Sequence, residues 1–257
     1  MFTPDQIQRM RYAYVTVEGT YLRLMYACLS LTTKNEKSRE YIVHGFLRRL
    51  STLRRCIQNV YSMYPPERTD VPSREECVDL AINLQSFVFN VFGCIDNLAW
   101  VWATERELST KTGEPLKPTD ISFNKKILRK TLPAEFRDYM DSLRDWFSSM
   151  EDFRHALAHR IPLYIPPYTV APADVERHNE LEHQKGCAMR RQDFEEWERL
   201  NREQVKLGRF TPAMTHSHVE ARGSIAFHAQ VLADWNTVAE IADKFLAELN
   251  RMPTPST

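Results

Sequence analysis

Arg154, His155, His159 and Arg160 fall within seven consecutive residues, Arg154-His155-Ala156-Leu157-Ala158-His159-Arg160, at the end of a helical pattern and just ahead of Pro162. An imidazole is the side chain that gains and loses protons around neutral pH, which suits it to general acid and base work. A guanidinium presents a planar fork of donors that matches phosphate oxygens. Together they are sufficient parts for phosphodiester cleavage without a metal, one group moving protons and the other stabilising charge on the pentavalent phosphate. Arg154 and His159 are five residues apart, which on an ideal helix is a rotation of about 140°. They therefore flank one edge, and a last turn that tightens or unwinds before Pro162 would bring them closer. Asp152, His155 and His159 align better, at i, i+3 and i+7. A plainer reading stands beside this one: the helix dipole alone favours basic residues in a last turn, and Arg154 could pair with Asp96 across a bundle as a structural ion pair.

The elements that must hold these residues read as amphipathic helices. Ile7, Met10, Tyr14, Val17, Tyr21, Leu24, Cys28 and Leu31 form a stripe of alternating three and four spacing, with Thr3 as cap and Pro4 at the first helical position. A second helix follows Asn35 with Val43, Phe46, Leu50, Leu53, Ile57, Val60 and Tyr64 on one side, until Pro65-Pro66. Ser73-Arg74-Glu75-Glu76 is a capping box that opens a third helix. Its stripe Leu80, Leu84, Phe87, Val91, Ile95, Leu98, Trp102 is flanked by Phe89, Phe92, Asp96 and Ala99, so this helix is predicted to be central. Ser109 to Asp120 reads as a loop, and a short helical piece is expected around Lys125–Lys130. A fourth long helix runs from Pro133, its stripe Phe136, Met140, Leu143, Phe147, Met150, Arg154, Leu157, Ile161 placing Arg154 among apolar residues. The final helix, about 219–250, carries Ile225, Ala229, Leu232, Trp235, Ala239, Ala242, Leu246 and Leu249.

These patterns predict an all-α fold, a helical bundle of about five long helices with a Pro-rich insertion before the last one. One domain is expected over 1–250: a helical pair at 1–64, core helices with the motif at 74–161, an insertion or flap at 162–218 and a closing helix at 219–250, with 251–257 a disordered tail. The insertion shows one short helical candidate, about Arg191 to Leu207, and leaves room for a hairpin. Long loops of this kind in a domain are often functional.

Lys and Arg total 34, as do Asp and Glu, so the surface is not the broadly basic one that grips nucleic acid nonspecifically, though a local patch is compatible. Seven glycines and a helix-friendly composition argue against a dinucleotide-binding design. The five cysteines are widely spread and show no CxxC pair, so neither a disulfide framework nor a zinc ribbon is signalled. No secretory leader pattern opens the chain, and no apolar run looks long enough for a membrane span. A cytoplasmic protein with no membrane partner is the resulting expectation.

The motif resembles the signature of the HEPN superfamily of helical-bundle proteins: an arginine, a polar residue, and a histidine after four to six intervening residues near the end of a long helix. Arg154, polar His155 and His159 match with four residues between, and Asp96-Asn97 on the preceding helix resembles the place where many such proteins keep an additional polar residue. The match covers roughly 74–161 plus the final helix. The resemblance implies a homodimer whose two motifs face each other in a composite, metal-independent endoribonuclease site, leaving a cyclic phosphate. It implies Arg154 and His159 as the catalytic pair, His155 and Asp96 in support, RNA as substrate, and an antitoxin protein as a partner if the setting is toxin–antitoxin or antiphage defence. No metal or other cofactor is expected. The alternative is a non-catalytic helical module that binds a partner, a nucleotide or RNA.

Weaker signals surround the motif. Arg160, Tyr164 and Tyr168 could hold phosphate and stack bases, or simply pin a Pro-rich loop. Arg48-Arg49 and Arg54-Arg55 form a doubled basic pair that reads first as a solvated helix face and second as a phosphate-binding one. Trp100 and Trp102 read as core and interface packing. His178, His183, Cys187, His216 and His218 match no standard zinc spacing. There is no Gly-rich phosphate loop, serine nucleophile elbow or HExxH.

Overall fold

In the computed structural model, which describes residues 2–217 and 224–251, the chain is an all-α bundle with two very short strand pairs. Helix α1 (Pro4–Ser30) begins as expected: Thr3 and Gln6 form a reciprocal capping box ahead of Pro4. Its buried residues, Met10, Val17, Leu24 and Cys28, belong to the predicted stripe. The second predicted helix is one rod in three parts, α2 (Glu36–Glu40), a π-helical segment (Tyr41–Phe46) and α3 (Leu47–Met63). The π segment adds a residue to the turn, so Ile42 enters the core while Val43 stays half-buried. Helix α4 (Arg74–Glu105) opens on the Ser73/Glu76 capping box and buries Leu80, Leu84, Phe87, Val91, Ile95, Leu98 and Trp102.

The predicted centrality of α4 holds, since α3, α7 and α10 all pack on it. That same position corrects the expectation about membrane-length runs. By length and composition, α4 is apolar enough to cross a bilayer, with half of its most apolar window buried inside the bundle. A helix surrounded by others needs apolar residues over a wide arc, and this is the composition a span also has.

After a loop come α5 (Lys126–Arg129), α6 (Ala134–Ser142) and α7 (Arg144–His159). The fourth helix is therefore not continuous from Pro133, and it breaks at Leu143. Ser142 Oγ donates to the Tyr139 carbonyl at 2.6 Å, and the Leu143 amide closes a tight turn on Met140 at 3.3 Å. Side-chain competition for helix carbonyls of this kind bends helices. The break rotates α7 relative to α6, so α7 buries Met150, Phe153 and Ala156, and Arg154 is exposed rather than on the apolar stripe.

The 162–218 segment holds two helices where one was expected. Strand β1 (Thr169–Val170) leads to α8 (Val175–Arg190) and α9 (Phe194–Val205), and β2 (Gly208–Arg209) returns antiparallel to β1. Leu181, Ala188 and Leu200 form a small core of their own, separate from the main one. Strands β3 (Ala213–Met214) and β4 (Ile225–Ala226) pair just before α10 (Phe227–Asn250), which starts later than predicted. The expectations for His218 and the tail Pro253–Thr257 lie outside the described residues. All five cysteines are free, four of them buried.

Candidate functional site

The end of α7 meets the middle of α4 and the start of α3 around a cavity of about 250 Å³ lined by Arg49, Phe89, Phe92, Gly93, Asp96, Arg154, His155, Ala158 and His159. Ala156 and Phe153 are buried and fix the face that α7 turns inward. Arg154, His155 and His159 then fall on its accessible edge. The tight turn before α7 thus decides which way the motif points.

Arg154 lies over the Phe92 ring, its Cζ 5.2 Å from the centroid, a cation–π contact that orients the guanidinium without neutralising it. It forms no ion pair with Asp96 among the described residues, so the buried-pair reading of Arg154 is corrected. Asp96 is half-buried, and burial pushes its carboxyl above the ordinary carboxylate range while the Arg154 and Arg49 charges pull it back. The His155 and His159 rings are 6.4 Å apart at a steep angle. His155 also approaches Glu151, Nε2 to Oε1 3.9 Å, with both side chains about half exposed. His159 occupies the last turn, ahead of the non-helical Arg160.

The weaker RNA-contact candidates, Arg160, Tyr164 and Tyr168, are not brought to this cavity. Arg160 is exposed beyond the helix end. Tyr164 exchanges both backbone hydrogen bonds with Thr215, at 2.8 and 3.0 Å. It lines a different, larger cavity of about 980 Å³, shared with Arg74, Tyr168 and Trp197. Tyr168 reaches His178 there, its hydroxyl 3.2 Å from Nε2. The zinc candidates do not converge: among the described residues no three His, Cys, Asp or Glu side chains gather as a metal would require.

The residue that sequence reasoning left out of the site is Arg49. Its Nε donates to Asn97 Oδ1 at 3.0 Å and its Nη1 to Asn90 Oδ1 at 3.3 Å. The guanidinium rests on Gly93, where a Cβ would sit 2.4 Å from it. Asn97 in turn lies against Gly45 of the π segment, 2.7 Å from the place of a Cβ. Two glycines thus let α3 and α4 exchange polar side chains at close range. Arg54, of the other basic pair, is spent on Glu18 at 2.7 Å and on the Tyr21 ring. A glycine in the middle of a long helix was the available signal, since such a residue often marks a close approach.

The arrangement offers two guanidinium groups, a carboxylate between them and an accessible imidazole, on a cavity wide enough for a phosphodiester group. Comparison of the chain with protein-family models, with curated proteins and with solved structures finds no match.

Proposed function

We propose that this protein is an HEPN-like, metal-independent endoribonuclease of a toxin or antiphage-defence type, acting as a homodimer in which two Arg154/His159 motifs meet. The single observation that carries the reading is the cavity that gathers Arg154, His155 and His159 with Asp96, the residues singled out by chemistry and spacing. The exposure of Arg154 is compatible with it, since an accessible guanidinium can reach a bound phosphate.

In this reading the 2′-hydroxyl of the substrate attacks its own phosphate. The 2′-oxygen bonds to phosphorus as its proton passes to an imidazole. The bond from phosphorus to the 5′-oxygen breaks, and the leaving oxygen takes a proton from an imidazolium. The products are a 2′,3′-cyclic phosphate and a 5′-hydroxyl. His159 is the proton-transfer group, Arg154 stabilises the charge gathering on the phosphate, and Asp96 and His155 hold them in place.

The test is incubation of purified protein with mixed RNA in EDTA, beside folded Arg154→Ala and His159→Ala variants. Cleavage by the parent protein that falls by roughly a hundred-fold or more in both variants is expected. Cleavage that persists in either variant, or none by any of the three on a broad panel of RNAs, favours the non-catalytic binding module instead.

A further inference from the structure

The geometry points to Arg49 as a second phosphate-holding residue, which with Arg154 grips the backbone of single-stranded nucleic acid while Phe89 stacks a neighbouring base. This deepens the proposed function and rests on the same cavity. Three observations carry it.

The first is that Arg49 is positioned by construction. Asn97 and Asn90 each accept one of its N–H groups, and Gly93 leaves room that any Cβ would fill. Neither acceptor is charged, so these two bonds hold the guanidinium without neutralising it, and among the described residues no other hydrogen bond takes up the rest of its donor fork. The neighbouring Arg48 and Arg55 are simply exposed. The second is that Arg49 and Arg154 both act on Asp96, which places two cationic groups around one carboxylate on the same wall. That leaves an excess of positive charge in the cavity, the condition for holding a phosphate.

The third is the rim. Phe89 is 42% exposed although it is a large apolar side chain, and it lines the same cavity. An accessible aromatic face beside paired guanidiniums is the combination that binds unpaired nucleotides, stacking for the base and charge for the backbone. A cavity of about 250 Å³ admits a phosphate and part of one nucleotide but not a duplex, whose bases are stacked on each other and turn no face to Phe89.

The experiment uses a labelled 2′-O-methyl oligonucleotide, single-stranded or annealed to its complement. It lacks the attacking hydroxyl, so binding is read apart from cleavage. Fluorescence anisotropy is followed against salt for the parent protein and for Arg49→Gln, Gly93→Ala and Arg48→Gln. Arg49→Gln is expected to weaken single-strand binding by roughly ten- to a hundred-fold and to lower the salt slope by about one. Gly93→Ala is expected to weaken it at unchanged charge, by pushing the guanidinium aside. Arg48→Gln, an equal loss of charge at an exposed position, is expected to change it by less than about two-fold. Circular dichroism confirms that each variant is folded. Absence of binding by the parent, equal effects of Arg49→Gln and Arg48→Gln, parent-like binding by Gly93→Ala, or a duplex bound as tightly as the single strand overturns the inference. Arg49-dependent binding without cleavage of ordinary RNA would sink the nuclease reading alone. Cleavage that is indifferent to Arg49→Gln, with binding equally indifferent, would sink only this one.

Discussion

Two buried groups on α10 set opposite pH dependences, and replacing one should uncover the other. Asp234 is almost completely buried and accepts two hydrogen bonds at a single oxygen, Oδ1, from Trp146 Nε1 and Gln230 Nε2, each at 2.8 Å. Burial pushes its carboxyl up from 3.8 to about 6, against the pull of those two donors. His228 is fully buried, donates from Nε2 to the Tyr64 carbonyl at 2.5 Å, and is pushed down from 6.5 to about 4 by burial. For Asp234 the folded state holds its proton more tightly than the unfolded chain, so its contribution is full below 3.8 and is lost as pH rises through about 6. At about 1.36 kcal/mol per pH unit, that loss amounts to about 3 kcal/mol. For His228 the unfolded chain binds the extra proton, so stability is full above 6.5 and is lost as pH falls toward about 4. That loss is also about 3 kcal/mol.

The two slopes nearly cancel between about pH 4 and 6, so the protein's stability should be close to flat there apart from the background of its surface carboxylates. Asp234→Asn keeps an oxygen for both donors and removes the titration. Urea unfolding followed by tryptophan fluorescence at half-unit steps from pH 4 to 7 should then show stability rising with pH, by about 3 kcal/mol more than in the parent protein. His228→Gln should show the opposite, a fall of similar size. Surface groups titrate alike in all three proteins, so the difference curves isolate the buried pair. An Asp234→Asn curve that runs parallel to the parent curve would refute the reasoning, because it would mean that Asp234 is as ionised in the folded state as in the unfolded chain.

Three further outcomes are expected. Trp146→Phe removes the donor that ties α7 to Asp234 and should cost about 1–3 kcal/mol in urea unfolding at pH 7. Gly45→Ala puts a Cβ 2.7 Å from the Asn97 amide nitrogen. It should cost about 1–3 kcal/mol in the same assay, since the Asn97 side chain is displaced from its bond with Arg49. Replacement of residues 171–207 by a two-residue turn joins Val170 to Gly208, which face each other in the β1–β2 register. Because α8 and α9 keep their own small core, the remaining bundle should unfold cooperatively in thermal circular dichroism within about 4 °C of the full chain.

Where local spacing alone decides an outcome, the helices could be read directly. The α1 stripe, the Thr3 and Ser73 caps and the wide apolar arc of α4 are all set by residues within a turn or two of each other. The π segment and the break at Leu143 were not visible, because each depends on which neighbour a backbone carbonyl or a side chain finds. Tyr41 stacks on Trp100 at 4.9 Å, and Ser142 turns back on Tyr139. Helix α8 was missed for a different reason. Its buried residues are Leu181, Lys185 and Ala188 only, too sparse a stripe to stand out in a polar sequence.

The same division runs through the candidate site. Arg154, His155 and His159 share one helix end, and Asp96 announces itself as a carboxylate on an otherwise apolar helix face. Residues on one helix, or at odds with their own helix, can be read without a partner. Arg49 could not be read in this way. Two adjacent arginines look alike in sequence, and only the crossing of α3 over α4 separates the exposed Arg48 from an Arg49 bound to Asn90 and Asn97. The sequence did contain the room made for it, Gly45 and Gly93, each lying where a side chain of the other helix needs to pass. A helix interior normally disfavours glycine by about 1 kcal/mol relative to alanine. At both positions that cost accompanies a polar contact between helices, and the contact holds a cationic group at the wall of the Arg154/His159 cavity. The conflict between local propensity and the observed residue therefore points, from the π segment and from α4, to the same site that the motif on α7 marks.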